Sequence, residues 1–483
     1  MRKNNTLLIC ILLAALFLSC ALGLMMDSET QAAAMPVGEY RVQITEVCAK
    51  NETVIADNEG KYRDYIELYN AGPETDLTGC RLTDGTVTYR FDGLVLGAGE
   101  YRLLFLGAET TGFALSASGR DSIQLQDPAG NIISQTKMKT VAADQVMVFA
   151  DGVWTLSDQP TPGFSNDNAG RAAFQTGTAV QSLPVQISEV LIANRMSLPD
   201  EKGIFSDVME LHNPTDAPIC LSGWHLSDSV AQRFRYHFPQ VTIPAGGYVL
   251  IHCDGENYIS DGGVIHANFA LRVQEELCLT DPSGAYVTLQ PQYSGNDISL
   301  ALTEDGYQLM ASSLGFANTE KGCSDARQAR VDLESPLVIS EIMTGDSAIP
   351  YEGKLMDVAE VWNRSAETVN LSGWYLSDGN DPYAYALPDV KLKANERLIV
   401  PLSQQVTGFA LSRNEALYLM APSHMFSQPV DCGDVVASCS ISLMENDTEI
   451  TYALADVSLG YENTKSGARQ FQKTTAPKGL RLK

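Results

Sequence analysis

Short stretches in which apolar and polar residues alternate recur along the chain after its N-terminal segment. Across Tyr65–Tyr69, Ile66 and Leu68 fall on one face, while Tyr65, Glu67 and Tyr69 fall on the other. The same parity groups Met209 with Leu211, and Ala359 with Val361. A period of two predicts strands with one buried face. On this pattern Glu67, Glu210 and Glu360 face outward. Further alternating runs, Tyr101–Leu106, Tyr248–Cys253 and Arg397–Leu402, follow turn signals at Gly97-Ala-Gly99, Ala245-Gly-Gly247 and Ala394-Asn395. Asp127-Pro-Ala-Gly130 and Asp281-Pro-Ser-Gly284 read as tight turns, with an aspartate side chain, a fixed proline φ and a glycine free to take positive φ. No amphipathic helical run of about twelve residues follows the N-terminal segment. Strands at roughly 8–12-residue spacing argue an all-β chain of sandwiches.

The same landmarks return three times in one order. Ile44-Thr45-Glu46-Val47 is matched by Ile187-Ser188-Glu189-Val190 and Ile339-Ser340-Glu341-Ile342. The segment from Asp64 through Glu67 to Asn70 is matched by Asp207, Glu210 and Asn213, and by Asp357, Glu360 and Asn363. Gly79, Gly223 and Gly373 then mark a turn followed by Cys80, Trp224 and Trp374. Phe113, Phe269 and Phe409 each begin Phe-Ala-Leu, and each unit closes on a glycine–aromatic pair at Gly163, Gly315 and Gly460. Self-similarity of this length means repeated domains. The reading is a domain at 40–168, a second at 185–321 and a third at 337–467. Short linkers with small and polar residues would act as semi-rigid spacers between them.

These landmarks resemble the lamin tail domain family, found in nuclear lamins and in many secreted bacterial proteins. The resemblance rests on the I-[ST]-E-[VI] opening, the acidic loop before D-x-x-E-[LV]-x-N, the L-[ST]-G-[WC]-x-L-[ST]-D turn and Phe-Ala-Leu. It spans nearly everything from Tyr40 to Gly467. It departs at Ala421-Pro-Ser-His424, where the third copy lacks the aspartate and glycine of its turn, and at Cys80, where the other copies carry tryptophan. The resemblance implies three tandem immunoglobulin-like β-sandwiches that serve as binding or tethering modules. Bacterial members often accompany hydrolases, nucleases or a CotH-type kinase domain.

Acidic residues outnumber basic ones 59 to 33, a net charge of −26 that repels phosphate backbones and anionic lipid, so nucleic acid is excluded as a partner. Residues 1–34 combine Arg2 and Lys3 with an apolar run from Leu7 to Met26 and a small-residue stretch at Ala32-Ala33-Ala34. They read as a signal peptide or as a membrane anchor, and Leu18-Ser19-Cys20 offers a lipidation motif as a third reading. All three place the rest outside the cytoplasm, secreted or held by a single N-terminal membrane contact.

Candidate chemistry is sparse. Glu46, Glu189 and Glu341 share parity with the inward Ile44, Ile187 and Ile339. Either a bulge turns them out, or the carboxylates are buried and hydrogen-bonded. Three identical pairs, Glu46 with Glu67, Glu189 with Glu210 and Glu341 with Glu360, suit a structural role. The functional alternative is calcium, held by Asp57, Glu59 and Asp64 and echoed by Asp200, Glu201 and Asp207. Five of six histidines fall in the second copy without zinc-ligand spacing. Trp224 and Trp374 read as core. Eight cysteines outside the leader fall two, four and two across the copies, even numbers that suggest disulfides in an exported protein, and Cys432 with Cys439 is the best-placed pair. The alternative is a buried thiol acting as a small hydrophobe.

No nucleophile–base motif or phosphate-cradling loop is present, so no enzyme activity and no cofactor beyond calcium is expected. The function read from the sequence is a non-catalytic extracytoplasmic scaffold or tether for a protein or cell-wall polymer. The alternative is the targeting region of a secreted enzyme whose catalytic part lies elsewhere. Residues 468–483 form a basic tail, and Gly479 to Lys483 alternates like the lead-in to a further copy, which is read either as a truncated repeat or as a disordered end.

Overall fold

A computed structural model describes residues 40–474 apart from 294 and 447–448, together with 480–481. The leader readings therefore lie outside the described residues. The described chain forms two compact units, one of residues 40–49, 65–142 and 147–156, the other of 50–64, 143–146 and 157 onward.

The architecture is all-β and repeats three times. Each repeat is built on an antiparallel pair: Val42–Cys48 with Tyr65–Asn70, Gln186–Leu191 with Asp207–His212, and Leu337–Met343 with Asp357–Asn363. A third strand adds beyond the second, at Tyr101–Phe105, Tyr248–Cys253 and Arg397–Leu402. A closing hairpin adds beyond the first, led by Val146–Ala150, Ile298–Thr303 and Cys439–Asn446. A smaller sheet is centred on Arg81–Thr83 with Ser122–Gln126, His225–Ser227 with Leu277–Thr280, and Tyr375–Ser377 with Ala416–Met420. Apolar side chains of the two sheets meet in one core per repeat, such as Ile187, Leu211, Leu226 and Leu279 in the second. Trp224 and Trp374 lie in these cores, and Cys80 lies in the core of the first repeat. Burying side chains of this size contributes about 1.5–3 kcal/mol each.

In all three repeats the pairing register slips at the same place. Ile44 faces Leu68, but Glu46 faces Glu67. Ile187 faces Leu211 and Glu189 faces Glu210, while Ile339 faces Val361 and Glu341 faces Glu360. The extra residue, Thr45, Ser188 or Ser340, forms a bulge that turns the first glutamate to the face opposite the core. There it meets the second glutamate, and all six are fully buried. The expectation that Glu67, Glu210 and Glu360 face outward is thus corrected. Their face of the sheet is itself covered, and a pattern of period two in one strand carries no sign of what lies over it.

Helices stand where the two linkers were expected, α1 (Asn168–Gln175) and α2 (Glu320–Ala329), and a third, α3 (Lys465–Thr474), runs from the end of the third repeat into the basic tail. Asp167, Thr319 and Thr464 cap them by accepting the backbone N–H of Gly170, Gly322 and Gly467 at 2.8, 3.0 and 3.1 Å. A Cβ on any of these three glycines would collide with the carbonyl oxygen of Ser165, Ala317 or Glu462. Phe471 of α3 joins Met343, Val358 and Ile399 in a second apolar cluster, and Leu191, Val208 and Leu314 form a smaller one in the second repeat. Beyond α1 the chain does not run free, because Thr178–Ala179 pairs in parallel with Ala285–Tyr286. Beyond α2, Val331 bridges Phe426 in parallel. The spacers are docked strands. Leu480–Arg481 likewise pairs in parallel with Leu398–Ile399, so the alternating end has a partner within the third repeat.

Candidate functional site

The recurrent glutamates fasten the second and third repeats shut. In the second repeat, Ser188 Oγ donates to Glu210 Oε1 at 2.5 Å, and the Gly315 N–H donates to Glu210 Oε2 at 2.6 Å. Ser313 donates its N–H at 3.0 Å and its hydroxyl at 2.7 Å to Glu189. Asn318 then ties the closing segment to the carbonyls of Ser188 and Leu302, at 2.8 and 3.0 Å. The third repeat repeats this with Ser340 and Gly460 on Glu360, and Ser458 on Glu341. It adds the Arg397 guanidinium at 3.0 Å from Glu360. In the first repeat Thr45 donates to Glu67 at 2.7 Å and Tyr65 to Glu46 at 2.6 Å. Burial pushes Glu210 up to about 8, and burial followed by the charge of Glu360 pushes Glu341 up to about 7. Glu360 is also raised by burial, against the pull of Arg397.

The other recurrent residues sit at chain reversals. Buried Asn70, Asn213 and Asn363 each donate to carbonyls across a turn, such as Pro73 and Leu96, Ala217 and Ile243, or Glu367 and Leu392. Gly79, Gly223 and Gly373 take φ of +81°, +76° and +81°, where a side chain is disfavoured. Asp207 and Asp357 accept the backbone N–H of Ala193 and Gly345.

The acidic turn proposed for calcium is internally neutralised. Asp57 accepts the N–H of Glu59 and Lys61 and pairs with Arg63 at 2.6 Å. Glu59 pairs with Arg63 and Lys61, and this holds its carboxyl below the usual range. Asp57, Glu59 and Asp64 are not among the described groups that converge within ligand range of one another. Asn58 of this turn instead exchanges hydrogen bonds with the His237 backbone at 2.8 and 3.1 Å, within the second compact unit. The matching turn of the second repeat meets the third, with Tyr383 donating to the Gly203 carbonyl at 2.6 Å. His424, which holds φ +61° in the turn that lost its glycine, lies 3.1 Å from the same tyrosine hydroxyl. The second of these contacts joins the second and third repeats within one compact unit.

One cluster escaped the sequence reading. Asp200, Glu201 and His266 bring two carboxylates and an imidazole within 4.8 Å of one another. His266 Nδ1 lies 2.6 Å from Asp254, and Nε2 lies 3.1 Å from Glu201. The ring is fully buried, stacked on Tyr258 at 4.1 Å and on His252 at 5.4 Å. Asp200 is held by the N–H groups of Lys202 and Ile204, both at 2.8 Å. Hydrogen bonds led by Tyr258 hold exposed Glu201 down at about 2. Burial alone would lower His266, but Asp254 and Glu201 outweigh it and hold the ring above its ordinary value. Burial and then His266 lower His252. Glu201 and His266 are separated by 65 residues, so no spacing rule could pair them.

None of the eight described cysteines is joined in a disulfide, which corrects the disulfide expectation. Cys432 follows the strand Val430–Asp431 in the smaller sheet, whereas Cys439 opens a strand of the larger sheet, so the two do not staple one hairpin. Burial pushes the Cys432 thiol up to about 12.

Residues 178–310 match the family described as Lamin Tail Domain, a stretch that takes in the second repeat from its docked lead-in strand to its closing hairpin. The match agrees with the immunoglobulin-like sandwich of this repeat, and it suggests a binding or scaffold module there. No curated protein matches the chain.

Proposed function

We propose that the chain is a non-catalytic extracytoplasmic scaffold or tether built of three lamin-tail modules, and that its loops and outer strand faces bind a protein or a cell-wall polymer. The observation that carries this reading is the glutamate pair. Paired carboxylates are the recurrent constellation that suggests acid–base chemistry, and in the second and third repeats they are enclosed and spent on holding the closing segment. The common bulge, turn glycine and capped helix support extending the module from 178–310 to the repeats on either side. The net charge of −26 argues against a nucleic-acid partner. The leader supports export, with one membrane contact if it is retained.

Co-sedimentation of the purified chain with isolated cell-wall polymer, together with crosslinking at the cell surface, tests the proposal. Saturable association with no turnover of ester, phosphodiester or nucleotide substrates is expected. Turnover that Glu210→Gln abolishes without changing the melting temperature would overturn it.

A further inference from the structure

Glu201 and His266 belong to the second repeat alone, whereas Asp200 has a counterpart in Asp57 of the first. Between Tyr248 and Phe269 this repeat is nine residues longer than the first between Tyr101 and Phe113, or the third between Arg397 and Phe409. These stretches are equivalent, because Tyr248, Tyr101 and Arg397 each pair with the same position of the second strand, at His212, Tyr69 and Trp362. The longer stretch carries Asp254, Tyr258 and His266. Glu201 stands where the first repeat has Asn58, in the turn Asp200-Glu201-Lys202-Gly203 that parallels Asp57-Asn58-Glu59-Gly60. The other two sandwiches close without these groups, so the fold does not require them.

We propose that His266 Nε2 and one oxygen each of Asp200 and Glu201 form a site for a divalent transition-metal ion of the zinc class. Three features favour this chemistry. A carboxylate on Nδ1, here Asp254, is the usual partner of a metal-bound imidazole, because it fixes the tautomer and makes Nε2 a better donor. One imidazole with two carboxylates suits zinc and its neighbours, whereas calcium and magnesium prefer oxygen alone. Ligands of a tetrahedral zinc ion lie roughly 3.3 Å apart for bonds near 2.0–2.1 Å. Nε2 and Glu201 Oε2 already lie 3.1 Å apart, and no separation within the set exceeds 4.8 Å, so small side-chain rotations bring the three to that spacing. Asp200 is preset by its two backbone hydrogen bonds, and the stacking of Tyr258 and His252 fixes the ring plane. The fourth position is left to water.

Calorimetric titration of the purified full chain with zinc, calcium and magnesium chlorides tests the site, with cobalt(II) absorption as a second readout. One zinc ion per chain is expected, with no comparable heat from calcium or magnesium. His266→Ala should abolish the zinc heat, and Asp254→Asn should weaken binding roughly 10–100-fold. Glu201→Gln lies on an exposed side chain and should leave the metal-free chain folded by circular dichroism, while zinc affinity falls at least ~10-fold. Absence of stoichiometric zinc binding would overturn the proposal, as would zinc binding that both Glu201→Gln and His266→Ala leave unchanged.

Discussion

Glu210 receives a hydroxyl from Ser188 and a backbone N–H from Gly315, yet it lies beside Glu189 with no access to water. Desolvation outweighs those donors, and the carboxyl holds its proton up to about pH 8 in the folded chain, against 4.5 ordinarily. The folded state therefore binds more protons than the unfolded one between these values. The stability this contributes is complete below about 4.5 and is lost as pH rises through about 8. Thermal melts should accordingly show a lower midpoint at pH 9 than at pH 6. Glu210→Gln presents an amide in place of the protonated acid, so it should melt within about 1 kcal/mol of the parent at pH 6 and lose less at pH 9. An equal loss in both would show that Glu210 is ionised throughout. The position and recurrence of these glutamates were legible in the sequence, but their surroundings were not. Alternation assigns a residue to a face, while a bulge changes that face and a segment about a hundred residues away decides whether it is wet. The cluster at His266 was illegible for a related reason, since strand pairing and a turn from another part of the repeat bring its members together.

Strands and turns were the legible elements, because their apolar period and their Gly, Pro and Asp positions are local signals. The three helices were not. They run only 8 to 10 residues and carry a glycine in the first turn, which lowers helix propensity, so each is too short for its helical period to stand out from the strands around it. Their caps were visible as Asp167, Thr319 and Thr464, each three residues before a glycine. That spacing has a steric cause, because the first turn is pressed against the preceding loop where a methyl group does not fit. Gly322→Ala should therefore cost about 3 kcal/mol or more, well beyond its helix-propensity gain, whereas Thr319→Ala should cost about 1 kcal/mol. Chemical denaturation of the two variants separates steric closure from capping. A neutral or stabilising Gly322→Ala would show that the loop yields.

Across the whole chain, repetition in the sequence located the three sandwiches, whereas the joints between them were misread as spacers. Small and polar residues such as Thr178 and Ala179 look like linker, yet Thr178 and Val180 donate to the carbonyls of Gly284 and Tyr286. A fragment of residues 176–331 should therefore melt cooperatively, and one of 185–331 should be less stable by about 1–3 kcal/mol, the value of the two backbone bonds it lacks. Identical melting of the two would mean that the docked strand carries no stability. Tyr383→Phe removes the hydroxyl held by Gly203 and should speed proteolysis at the junction after α2 without altering circular dichroism. The glutamate clamp also bears on the order in which the chain is made. Glu189 and Glu210 emerge 124 and 105 residues before the serine and glycine that satisfy them. Until then two negative charges lie side by side on an open face, where they repel each other and keep that face hydrated. A nascent repeat thus carries its own mark of incompleteness, one that is erased only when its last hairpin arrives and the acids are sealed from water.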